Sequence, residues 1–283
     1  MEDLIPEGTR LDLTRPLLPK SLSAAPIACL DAPAQLMLNH LAGNAYLNLF
    51  SFVEEFILAT VVQQAGAELF GDPDNMRALV RFADEELKHQ QLFARFRKAF
   101  DASFGHPARV LETAKQVAGA VLDKSPLGVM LIILHIELMT LDHYTESVRG
   151  DETLDGFFAT LLEKHWLEES QHARIDALEL AKLANVASDA QVAVAAREYL
   201  DLLGAFDGLL AMQAQMDVET LAEALGRVFT EEQAAAIVEA QHRGYRRTFL
   251  VAGIRTPRFA KVLTTLAPET ATAADALATA WCP

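Results

Sequence analysis

Cysteine is nearly absent: Cys29 and Cys282 are the only two in 283 residues. Two thiols near opposite ends make neither a disulfide framework nor a thiolate metal site, so the chain reads as a thiol-reducing, cytoplasmic protein. Basic charge is also short, with 24 Lys and Arg against 39 Asp and Glu for a formal net charge of −15. An acidic surface repels phosphate backbones and anionic lipid, so neither nucleic acid nor a membrane is an expected partner. Strand signals are sparse, because β-branched runs are short and proline and glycine gather at a few junctions. The first twenty residues are acidic and proline-interrupted, unlike a basic-then-apolar secretion signal. No flavin, nicotinamide or iron–sulfur motif is visible.

What is there is 51% hydrophobic, enough for one large core in an all-α domain. Residues 1–30, with Pro6, Pro16, Pro19 and Pro26, read as an irregular arm. A first helix is expected from Asp31, with Pro33 in its first turn, to about residue 65, apolar nearly all round and therefore buried. Asp72-Pro73 opens a second to about 100. An amphipathic segment spans 109–122, and Ser125-Pro126 starts a third core helix to about 148. Its apolar run, 127–136, falls short of the roughly 20 residues a bilayer needs. Another helix is expected from about 151 to 183. Alanine-rich stretches from Ser188 indicate two more, and Thr230 with Gln233 fits a capping box for a late helix to about 251. Residues 31–185 thus form a helical bundle and 186–283 accessory helices.

Charged residues inside apolar helices need a reason, since an unpaired buried carboxylate is costly. The first helix carries Glu54-Glu55, the second Glu86 and His89, the third Glu137, and the fourth Glu169 and His172. A Glu and a His three apart share one helical face. Glu239 and His242 repeat that pair without an obvious partner, so one pair means little. The order carries the weight: lone Glu, Glu-x-x-His, lone Glu, Glu-x-x-His. Glu55 to Glu86 is 31 residues and Glu137 to Glu169 is 32. Two folded helix pairs would bring these acids and imidazoles around one cavity, a donor set suited to two iron or manganese ions. Glu54 and Glu55 are both eligible. Glu55 shares a stripe with Asn44, Asn48 and Ser51, whereas Glu54 lies among Leu47, Phe50 and Val61; Glu55 is the one taken.

This pattern resembles that of the ferritin-like carboxylate-bridged di-iron proteins, a four-helix bundle. His165, Glu169 and His172 form one stripe at i, i+4 and i+7, which looks like the three-histidine site of the arylamine (p-aminobenzoate) N-oxygenase family. The resemblance implies Glu55, Glu86, His89, Glu137, His165, Glu169 and His172 as ligands of two irons, with manganese admissible at one or both positions. It also implies an O₂-dependent oxygenase that oxidises a small aromatic amine through a peroxo di-iron intermediate. Electrons would come from an external reductase or ferredoxin, and a homodimer through an outer helix is compatible with such a bundle. The rival readings are a ferritin-like or rubrerythrin-like iron-oxidising or peroxide-reducing protein, and a metal-free helical interaction protein. Asp84, Asp142, Glu146 and Asp176 are candidate partners for the outer nitrogens of ligating imidazoles. Glu85 and Glu168 read as outward-facing, His135 and His143 as surface or outer residues. The basic run Arg243 to Arg247 reads as an ion-paired face more than a carboxylate receptor.

Overall fold

The structure, a computed structural model, describes residues 4–282, and among these there is no strand. Helix α1 runs Ala32–Ala67, α2 Pro73–Phe104, α3 Ala114–Leu122, α4 Pro126–His143 and α5 Gly156–Val186. They are followed by α6 Asp189–Leu225, α7 Glu231–Tyr245, α8 Ala252–Arg255, α9 Pro257–Leu266 and α10 Pro268–Trp281.

The starts follow local chemistry. Asp31, Asp72, Ser125 and Asp155 each accept an amide N–H of the first turn, and Pro73 and Pro126 hold the first helical position where no N–H is needed. Ser188 and Thr230 make reciprocal capping boxes with Gln191 and Gln233. At the other end of α2, Gly105 takes a left-handed φ of 75°, which a residue with a Cβ adopts only under strain. The segment expected to be helical from 109 starts only at Ala114; residues 105–113 form no helix and are tied down by Asn48 and Gln213, which bond the backbone of Leu111. Residues 151–154 form a turn, and α5 begins at Gly156. Where two helices were expected from Ser188, there is one unbroken 37-residue helix, α6.

Helices α1 and α2 form one antiparallel pair, as the rungs Phe50–Phe93 and Asn48–Arg97 show. Helices α4 and α5 form the other, with Tyr144 stacked on Trp166 at 4.8 Å. Phe96 on Phe158, at 5.2 Å, joins α2 to α5. Helix α6 packs on α1 and α4 and shares their core, so 186–283 is not a detached layer. The arm wraps the α1–α2 end: Leu17 and Leu18 amides bond Asn39, and the Asp12 amide bonds the capping carboxylate of Asp155.

Two stretches, Ala32–Ala67 and Pro126–Val148, are long and apolar enough to cross a membrane by length and composition. In this fold 67% and 89% of those windows are buried, so their apolar surface is used in the core.

Two turns are wider than α-helical, Tyr144–Val148 at the end of α4 and Arg246–Val251 between α7 and α8. The second works as a latch. Its Thr248 and Phe249 carbonyls accept Nε2–H of His143 (2.9 Å) and His135 (3.0 Å), while the Nδ1 atoms accept the hydroxyls of Tyr46 and Tyr199. Both imidazoles are buried, so of the surface or outer placements expected the surface one does not hold. Gly253 permits this approach, because a Cβ there would fall inside the His135 ring. The neighbouring bases are committed: Arg246 makes a two-bond fork on Asp207 (2.6 and 2.7 Å), Arg243 pairs with Glu239, and Arg247 holds the Ser21 and Ser23 carbonyls of the arm.

Candidate metal centre

Midway along the bundle, α1 contributes Glu54, α2 Glu86 and His89, α4 Glu137, and α5 the stripe His165, Glu169, His172 and Asp176. All eight are at most 3% exposed. Glu169 is the hub. Its Oε1 lies 2.6 Å from His165 Nε2 and 3.3 Å from His89 Nδ1, and its Oε2 lies 2.8 Å from His172 Nδ1. Glu54 spans His165 (3.3 Å) and His89 (3.4 Å) on one side; Glu86 spans His172 (3.0 Å) and His89 (3.6 Å) on the other.

These residues make two overlapping groups whose ligand atoms lie within 4.8 Å of one another: Glu54, His89, His165, Glu169, and Glu86, His89, Glu169, His172. Such buried Glu/His groups could hold metal ions. Of the seven expected ligands, Glu86, His89, His165, Glu169 and His172 fall in these groups. Glu137 stands beside them, its carboxyl held against Glu169. Glu55 does not join. The α1 acid at the cluster is Glu54, on the apolar stripe of Leu47, Phe50 and Val61 that faces the bundle interior, while Glu55 is half-buried outside the groups. A signal for this was present: Glu54 to Glu86 is 32 residues, the same as Glu137 to Glu169.

The outer ring nitrogens are held crosswise. His89 on α2 reaches Glu168 on α5, and His172 on α5 reaches Glu85 on α2, both at 2.9 Å. Both acids are 23% exposed at the rim, not outward-facing as expected, and Lys88 pairs with Glu168 there (3.2 Å). This fixes which nitrogen of each ring points inward and raises its basicity. Of the partners expected from sequence, Asp142 instead accepts the Thr256 hydroxyl (2.7 Å), and Asp176 lies inside the cluster with Glu86, Glu169 and His172. Phe82 stacks on His172 at 3.8 Å, and Phe50 and Phe93 present edges to His165 at 5.5 and 5.2 Å.

Burial alone would push these imidazoles down; the charges of Glu54 and Glu169 outweigh it for His89, and those of Glu169, Glu85 and Glu86 for His172, holding both well above the usual histidine range. Glu169 is held well below the carboxylate range because three imidazoles outweigh its burial. Burial, with Glu86 as neighbour, pushes Glu54 up to about 7. Burial and then the charge of Glu169 push Glu137 well up.

The donor set fits a pair of cations. Glu54 Oε2, Glu86 Oε1, His89 Nδ1, Glu137 Oε2 and Asp176 Oδ2 are buried without a hydrogen bond, an expensive condition that metal bonds would relieve. By contrast Asp217, equally buried, is fully satisfied by Tyr245, Gln241 and Gln213. No lysine or arginine is buried among the described residues, so the cluster's five carboxylates face three imidazoles with no other internal cation. No family model, curated protein or solved structure matches the chain.

Proposed function

We propose that the chain is a ferritin-like di-iron protein that uses two bound irons, or manganese at one or both positions, in an O₂-dependent oxygenase reaction. A small aromatic amine is the substrate class that the three-imidazole resemblance implies. The observation that carries the reading is the pair of overlapping groups sharing His89 and Glu169, with unbonded donor atoms turned inward. When bound, the metal pair supplies reduction of dioxygen and oxygen transfer. The protein's part is to hold it. Glu54 and His165 would serve one position, Glu86 and His172 the other, with Glu169 able to span both and Glu137 adjacent. Glu85 and Glu168 orient His172 and His89 from the rim and take the protons those rings carry outward. Phe50, Phe82 and Phe93 keep water from the imidazoles. Uptake of metal must displace protons from the three rings, so loading should weaken as pH falls. An external reductase or ferredoxin supplies electrons.

The protein loaded anaerobically with ferrous iron, then exposed to air with a reductant and aniline, is expected to yield the N-oxygenated amine by mass spectrometry. Rapid iron oxidation or peroxide consumption without any oxygenated amine would instead establish the iron-oxidising or peroxide-reducing reading. That alternative is favoured by the small size of the space beside the cluster, about 50 Å³.

A further inference from the structure

The space of about 50 Å³ beside the cluster is lined by none of the eight cluster residues. It lies between α1, α3, α4, α6 and the wide turn Arg246–Val251, with Leu49, Phe50, Phe56, Ile136, Leu210 and Phe249 among its walls. Every lining side chain is apolar. Its volume decides the guest. A dry apolar cavity of about 150 Å³ accommodates benzene or xenon, and one water needs about 10–15 Å³. At about 50 Å³ the space is too small for an aromatic ring unless side chains move, and although it is partly open to solvent its walls offer water no hydrogen bond. The guests left are neutral molecules of a few atoms.

Its position decides the purpose. Phe50 is a wall of the cavity and also sets its ring edge on His165 at 5.5 Å. Ile136, another wall, immediately precedes Glu137. One phenyl ring therefore separates the space from the Glu54–His165 side of the cluster. On the outer side stand Phe206 and Leu209, which are only half-buried, and there the space is partly open to solvent. Apolar gases partition into such a space from water, whereas charged reductants and metal ions do not.

We propose that this cavity is a dioxygen-holding site that feeds the His165 side of the centre, with the Phe50 ring as the partition a guest passes. The inference rests on the oxygen-using reading above for its purpose, but not for the existence of the site. Xenon, an apolar probe of similar size, tests the site directly. Crystals of the whole chain pressurised with xenon should show an anomalous peak among Phe50, Phe56, Ile136 and Phe249, and Leu210→Trp should remove it. Leu209→Phe, at the half-buried mouth, is the milder variant should Leu210→Trp fold poorly. With ferrous protein, either variant should slow oxidation several-fold at low dissolved oxygen, a deficit that disappears as oxygen is raised. Absence of xenon from the wild-type cavity overturns the site. Xenon present with an oxidation rate indifferent to both variants overturns its role in delivery. Xenon present in a protein that takes up no iron retains the gas site and overturns its purpose together with the di-iron reading, so the two failures are told apart.

Discussion

Six imidazoles are buried among the described residues, and five of them fall into two sets with opposite electrostatics. His89, His165 and His172 sit among carboxylates that outweigh the cost of burial and raise all three. His135 and His143, buried to the same degree, meet only tyrosine hydroxyls and backbone carbonyls, and burial pushes each down to about 4. The residue type and the depth are the same. The neighbours decide whether a buried histidine could receive a cation or is a neutral two-bond clip, and only the first set leaves donor atoms unsatisfied.

The hub gives the sharpest way to break that contrast. Glu169→Ala removes a member of both groups, so metal content after ferrous loading should fall from about two per chain to well under one, and the thermal stabilisation by iron should vanish. His165→Ala touches only the Glu54 side, so roughly one metal should remain. Glu85→Gln and Glu168→Gln leave the inner atoms in place but release the outer nitrogens, and each should weaken metal affinity about 10- to 100-fold in a competition titration. On α1, Glu54→Gln should cut loading whereas Glu55→Gln should leave it unchanged.

The neutral set makes a prediction in pH. The folded value of His143, about 4, lies below the unfolded value of about 6.5, so the native state binds fewer protons between them. Stability should therefore fall as pH drops from about 6.5 toward 4, by up to about 3 kcal/mol from this residue. His143→Gln, which can still donate to Thr248 and accept from Tyr46, should flatten that slope in urea titrations, and an unaltered slope would contradict the assignment.

How much of this was legible beforehand follows from the range of each interaction. Helix starts are local, so Asp31, Asp72, Ser125-Pro126 and Thr230 announced them. The late helices α9 and α10 begin at Pro257 and Pro268, a first-turn proline signal that was present but unread. The unbroken α6 contains Gly204 and Gly208, which mark a break locally, but its packing on α1 and α4 overrides them. At the site, helical spacing put Glu86 with His89 and Glu169 with His172 on shared faces, and these four residues meet in one group. Glu85 and Glu168 were missed although both helices carry the same Glu-Glu-x-x-His run, because their partners lie 79 and 87 residues away. The latch was equally hidden: the partners of His135 and His143 lie 64 to 114 residues away.

Anomalous scattering at the iron edge, from crystals grown after anaerobic ferrous loading, tests the central claim most directly. Two peaks about 3.5–4 Å apart are expected, one between Glu54 and His165 and one between Glu86 and His172, with Glu169 reaching both. A cluster interior without iron, or iron only on the acidic surface, would contradict it.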